Sequence, residues 1–183
     1  MQIQPIKEII SGVTQDAFVR IYFKDKNMHE ALCSKAHLNR LKYNYVDTSA
    51  TSFDRYADVE LESKLSWAVR HVLGTDRIAY QDHVHFDTST MSGTWDIVLG
   101  DSLKSWRDNV KAHGTFRVTV PPALSAASSE EVELCMDGSV DVDTFGGGMM
   151  ESLLQDKLKE GFQETMSYVK EWVAKHPVES HQG

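Results

Sequence analysis

His83, His85 and Asp87 fall at i, i+2 and i+4, a spacing that puts all three on one face of a strand. Two imidazoles and a carboxylate are a familiar ligand set for a divalent metal. Tyr80, Val84 and Phe86 form the opposite, apolar face of the same segment, so the histidines are expected to meet water and to hold no metal. Acid–base chemistry needs a different arrangement, a carboxylate, histidine or tyrosine turned inward with its pKa shifted by burial. Asp82 shares the parity of Val84 and is the acid expected to be buried; Tyr43 and Tyr45 are the other inward polar candidates. No Ser-His-Asp arrangement, P-loop or dinucleotide fingerprint is recognisable. Gly146-Gly147-Gly148 before a helix could hold an anion, yet lacks the Lys-Ser/Thr that follows in a P-loop, and chain entry to the helix is its simpler role. No cofactor is expected.

The elements that must position these residues follow from periodicity. From Met149 to about Lys175, Met150, Leu154, Leu158, Phe162, Met166, Val169 and Trp172/Val173 recur near every 3.6 residues, with charged residues between them, so one long amphipathic helix closes the chain. At ~1.5 Å per residue it crosses a whole small domain, and its stripe needs a partner surface. Upstream the chain reads mostly as strands. Met1 to Ile10 is the first, and Pro5 places it at an edge or beside a bulge. Thr14 caps a short helix carrying Ala17, Phe18, Ile21 and Tyr22, and Asn27 with Glu30 marks the start of a second carrying Met28, Ala31, Leu32 and Ala36.

From about Leu38 the period is two. Leu41, Tyr43 and Tyr45 form one strand and Ala57, Val59 and Leu61 the next, before Leu65 to Leu73 returns to helical spacing and stops at Gly74. Strands follow at Arg77–Asp87 and Thr94–Leu99, with Ser92-Gly93 supporting a turn nearby. Residues 101–114 fit either a loop with a helical turn or an irregular strand around Trp106. Phe116, Val118 and Val120 make another strand, 123–130 is a loop of small residues, and Val132, Leu134, Met136, Val140 and Val142 face inward on a last strand whose outer side is acidic.

A chain of 183 residues fits one domain, here 1–176, with 177–183 expected as a disordered tail. Cys33 and Cys135, far apart and without ligand-spaced partners, are expected to be buried thiols in a reducing compartment. A net charge of −8 argues against nucleic acid and against anionic membrane surfaces as partners. No secretory signal or transmembrane segment is expected, because no apolar run exceeds three residues, and the expected location is cytoplasmic.

Strand, two short helices, six strands of meander and one long helix together resemble the START-like (SRPBCC) superfamily, the helix-grip fold of the birch pollen allergen, the steroidogenic lipid-transfer domains and the polyketide cyclases. The resemblance covers nearly the whole chain and rests on architecture. The insert after the third strand, the Trp95 strand and the junction from Gly146-Gly147 to Glu151 look most like an uncharacterised bacterial branch of it. It implies an α+β fold in which a strongly curved antiparallel sheet of about seven strands wraps around the C-terminal helix. Between them such proteins commonly leave an apolar cavity for a lipid, sterol, polyketide or hormone. By that likeness Tyr43, Tyr45, Trp95, Ile97, Phe116 and Val118 would touch a ligand from the sheet, and Met150, Leu154, Leu158, Phe162 and Met166 from the helix. The expected function is binding, with transport as its extension, of an apolar small molecule or lipid without chemistry. In that setting the plain roles of the polar candidates, a tyrosine at the cavity mouth and an acid at a strand bulge, are preferred to catalytic ones. The alternatives are a cyclase/aromatase-type enzyme working through Tyr43, Tyr45 or Asp82, and a protein-interaction module whose cavity is closed.

Overall fold

Alternating inward and outward residues assemble into one seven-stranded antiparallel sheet in the computed structural model, which describes residues 1–35, 38–61, 71, 74–75, 77–121, 130–143 and 147–177. The strands are β1 (Gln2–Ser11), β2 (Leu38–Asp47), β3 (Ser52–Leu61), β4 (Ile78–Asp87), β5 (Ser92–Leu99), β6 (Val110–Thr119) and β7 (Glu131–Val142), in the order β1-β7-β6-β5-β4-β3-β2. Proline cannot donate to a ladder, and Pro5 accordingly lies on an edge strand, inside a register shift between Ile3 and Ile6. On β7, Val132, Leu134, Met136, Val140 and Val142 are buried, as their parity requires.

Helix α1 (Gln15–Val19) starts where expected, with the Thr14 hydroxyl accepting from the Ala17 N–H at 3.3 Å. It runs into a wide π-type turn, Arg20–Lys24, that buries Ile21, Tyr22 and Phe23. Helix α2 (Lys26–Lys35) corrects the expected start at Asn27. Its cap is Asp25, whose Oδ1 accepts from the N–H groups of Asn27 at 2.9 Å and Met28 at 3.1 Å. Asp25 leaves the π-turn in the extended conformation that an N-cap needs, so Asn27 is already inside the helix.

The open segment 101–114 resolves into a 3₁₀ turn at Asp101–Leu103, one helical turn α3 (Lys104–Arg107), and the first half of β6. Ser92 and Gly93 belong to β5; the turn before them closes at Met91, whose φ of 48° is left-handed. The helix expected at Leu65 to Leu73 lies outside the described residues apart from His71, as do Ala36, most of the loop 123–130 and the tail beyond Pro177. Cys33 and Cys135 are half-buried thiols, not the fully buried ones expected.

Helix α4 (Gly147–Lys175) buries Met150, Phe162, Met166, Val169 and Val173 along one stripe. It packs on β7 and β1 and touches α2. Lys170 pairs with Glu8 of β1 at 2.6 Å, and Lys35 of α2 pairs with Glu171. Because the helix is seated at the β1–β7 side of the curved sheet, it stands away from β3, β4 and β5.

Candidate functional site

Cross-strand register arranges the inner face of the sheet in rows. One row runs Tyr45, Arg55, Val84, Trp95, Gly114, Gly138 from β2 to β7, and the next runs Tyr43, Ala57, Asp82, Ile97, Ala112, Val140. Each contains small residues beside large ones, so the inner face is uneven. Between these rows and α4 lies a cavity of about 200 Å³. On the same measure one water needs only ~10–15 Å³, so the space suits an organic molecule.

Its wall is mostly apolar, with Leu41, Ala57, Trp95, Ile97 and Phe116 from the sheet, Met28 and Leu32 from α2, and Leu158 and Phe162 from α4. A smaller cavity of about 70 Å³ lies toward the N-terminal half of α4, walled by Leu99, Leu103, Trp106, Met150 and Leu154 among others. The two share Tyr80, Ile97, Lys157 and Leu158 as common wall.

Polar groups gather on one side of the larger cavity. Arg55 of β3 and Asp82 of β4 both have inward parity and form an ion pair. The Arg55 side chain is 5% exposed, and its guanidinium carbon lies 5.4, 5.6 and 5.8 Å from the ring centres of Phe23, Tyr43 and Tyr22. Its Nε is buried and has no hydrogen-bond partner among the described residues. Asp82 keeps 22% of its surface, and it is the cavity that this surface faces. Burial raises the Asp82 carboxyl above the ordinary aspartate range, against the pull of the Arg55 charge. Burial also works against a charged Arg55, but Asp82, Tyr43 and Tyr22 outweigh it and the guanidinium stays protonated. Burial pushes the Tyr22 hydroxyl up to about 12 and raises Tyr43 and Tyr80 as well, so all three stay neutral.

His29 completes the group from α2. It is 4% exposed, stacked on the Tyr43 ring at 3.8 Å, and its Nε2 lies 2.8 Å from the Tyr22 carbonyl oxygen, to which it donates. Burial lowers its pKa from an ordinary 6.5 to about 4. Above pH 6.5 the contribution of this neutral ring to stability is complete. Between about 6.5 and 4 the unfolded chain takes up a proton that the folded one refuses, and roughly 3 kcal/mol is lost as pH falls through that window. Asp82 acts in the opposite sense, because its raised carboxyl is protonated first in the folded state and its contribution grows on acidification. Urea unfolding of the native protein and of His29→Gln at pH 7.5 and pH 4.5 isolates the histidine. The variant should lose distinctly less stability on acidification than the native protein, and equal losses would remove this account.

Of the residues expected to touch a ligand, Tyr43, Trp95, Ile97, Phe116, Leu158 and Phe162 come together around the larger cavity. Met150 and Leu154 line the smaller one with Ile97 and Leu158. Tyr45, Val118 and Met166 line neither. Tyr45 is 42% exposed, its ring edge-on to Phe53 and below the Lys24 ammonium, because edge strand β2 carries it past the end of the cavity. Val118 and Met166 are buried in the core. Asp82 sits in regular register between Ala57 and Ile97, which corrects the expected strand bulge. Arg55 and His29 were not among the candidates. A signal existed for Arg55, which shares the parity of Phe53, Ala57 and Val59 and so puts a cation opposite the one inward acid.

His83 and His85 lie on the outer face of the sheet. His83 Nδ1 is 3.0 Å from Asp96 and stacks on Tyr56, His85 Nδ1 is 2.7 Å from Asp54, and Asp87 accepts from Ser89. Among the described residues no group of three or more histidine, cysteine or acidic side chains is placed to hold a metal ion, and no helix is long and apolar enough to cross a membrane.

No protein-family model and no curated protein matches the sequence. Solved structures match the whole fold. The crystal structure of TTHA0849 from Thermus thermophilus is similar with a TM-score of 0.60 at 12% identity, over 97% of this chain and 100% of that one. The Zhui aromatase/cyclase from Streptomyces sp. R1128 gives 0.56 at 7% identity over 99% of each chain. A truncated norcoclaurine synthase from Thalictrum flavum gives 0.57 at 10% identity over 96% of each. Seven antiparallel strands packed against one long C-terminal helix, matched end to end by these structures, give the chain the same helix-grip fold.

Proposed function

We propose that the protein binds an apolar small molecule or lipid in the cavity between the sheet and α4, with Tyr43, Trp95, Ile97, Phe116, Leu158 and Phe162 as its contacts. The observation that carries this reading is the cavity itself, an apolar-walled space of about 200 Å³ left where α4 stands away from β3 to β5. A fold with no binding role would fill such a space, since each buried void forfeits packing contacts.

Gly161 supplies the test. It lies mid-helix on the rim of the larger cavity, and a Cβ built there meets nothing within 4 Å. Glycine at such a helical site costs ~0.5–1 kcal/mol relative to alanine. Gly161→Phe should keep or raise the melting temperature while weakening uptake of the neutral fluorescent probe N-phenyl-1-naphthylamine by about tenfold or more. Solvent extraction of the native protein, followed by mass spectrometry, should release an apolar compound that the variant lacks. Native-like uptake by a folded Gly161→Phe protein would count against the cavity as the binding place.

A second reading is favoured by one observation, the inward Asp82 carboxyl beside tyrosine hydroxyls in an apolar wall, which is the setting of a general base. Two of the similar structures are named as an aromatase/cyclase and a synthase. The same extraction separates the readings. If the protein is an enzyme, Asp82→Asn should release a compound of different mass from that held by the native chain. Identical masses favour binding alone.

A further inference from the structure

The charged groups deep in the wall of the larger cavity are one cation and one anion, Arg55 and Asp82, and they pair with each other. At the rim stand Glu164 and Lys157, the latter paired with Glu160 at 2.5 Å. Tyr22, Tyr43 and Tyr80 are held in their neutral hydroxyl forms, and His29 in its neutral imidazole form, at ordinary pH. The polar side of the cavity is therefore rich in hydrogen-bonding groups and has no net charge to offer a ligand.

This matters because an ion entering an apolar site gives up its hydration and needs an opposite charge in return. A carboxylate or phosphate brought to Arg55 would find that cation already paired, with the Asp82 carboxylate beside it repelling the newcomer. A neutral hydroxyl meets no such difficulty. A carboxylate has about four lone-pair sites, and the Arg55 hydrogen bond takes one of them, so Asp82 can accept from a ligand O–H across the cavity. Tyrosine hydroxyls in the same wall can donate to that ligand oxygen. The rest of such a molecule has a place to go, because the smaller cavity beyond the shared wall of Ile97 and Leu158 is lined by Leu99, Leu103, Trp106 and Met150.

We propose that the ligand is a neutral, hydroxyl-bearing apolar molecule, a phenol or alcohol, whose O–H donates to Asp82 in the Arg55–Asp82 pair and whose hydrocarbon part points toward the Met150 end of α4. The inference rests on the cavity-binding reading and adds the class of head group. Fatty acids and other apolar anions are thereby excluded as preferred ligands.

Three probes of one shape test it: 2-naphthol, 2-methoxynaphthalene and 2-naphthoate, titrated calorimetrically into the native protein at pH 7.5. 2-Naphthol should bind about fivefold or more tighter than its methyl ether, which cannot donate, and about tenfold or more tighter than 2-naphthoate. Ionised acids leave water less readily for any apolar site, so the comparison across variants is the stricter one. Asp82→Asn leaves the Arg55 charge unmatched, and in that variant 2-naphthoate should overtake 2-naphthol. If the methyl ether or the carboxylate binds the native protein as tightly as 2-naphthol, the head-group assignment falls while cavity binding stands. If none of the three binds, both fall. Should Asp82→Asn fail to fold, the native comparison with the methyl ether still decides, because it needs no variant.

Discussion

Arg55→Met is expected to cost about 3–5 kcal/mol of folding stability, among the largest effects of any single polar replacement in this protein. Arg55 is buried and holds Asp82, and its planar cation lies within cation–π range of Phe23, Tyr43 and Tyr22. Methionine matches much of its length and supplies none of its charge. Asp82 would then be a carboxylate without a counter-ion in an apolar wall, and it would take a proton to remain there. The sign follows from that uptake. In the variant the folded state binds the proton more readily than the unfolded one, so the deficit should shrink as pH falls from 7.5 toward 5. Arg55→Met with Asp82→Leu removes both charges and should recover most of the loss, since what costs is the unpaired partner. Urea unfolding of the single and double variants measures this. A loss under about 1 kcal/mol for Arg55→Met would mean that water reaches the pair freely.

Parity and period carried the architecture because burial forces them. A strand with one dry face must alternate, as β7 does from Val132 to Val142, and a helix gripped along one side must repeat near 3.6, as α4 does from Met150 to Val173. Pro5 marked the edge strand for an equally local reason. The cavity was less legible, because it depends on where the helix is seated on the sheet. Tyr45 has the same parity as Tyr43, yet only Tyr43 reaches the cavity, since two residues along β2 move a side chain past its end. His29 was hidden for a related reason. It stands one position after Met28 on α2, off the stripe that periodicity selects, and becomes part of the wall through the stacking of its ring on Tyr43 across to the sheet. Asp82 could be placed inward from its own strand, but its partner could be identified only by taking β3 and β4 together.

Gly138→Ala should be as damaging as Arg55→Met, for a purely steric reason. Trp95, Gly114 and Gly138 lie in one row across β5, β6 and β7, all with inward parity, and the indole extends across both glycines to donate from Nε1 to the Asp137 carbonyl at 3.0 Å. A Cβ at Gly138 would stand 2.4 Å from the His113 carbonyl oxygen and 2.5 Å from the Trp95 ring; one at Gly114 would stand 1.9 Å from the Asp137 carbonyl oxygen. Neighbouring backbone in mid-sheet cannot give way cheaply, so a loss of about 3 kcal/mol or more is expected for either alanine. Gly161→Ala, the same substitution where nothing lies within 4 Å, should instead gain ~0.5–1 kcal/mol. The glycine pair also bears on binding, because Trp95 lines the larger cavity and an indole lifted off its row would enter that space. Any Gly138→Ala protein that remains folded should therefore lose uptake of N-phenyl-1-naphthylamine together with stability. Removing the clashing ring in Gly138→Ala with Trp95→Leu should restore part of the uptake but little of the stability, since the clash with His113 persists. A Gly138→Ala protein with native melting temperature and native uptake would show that the Trp95 row does not set the shape of the cavity.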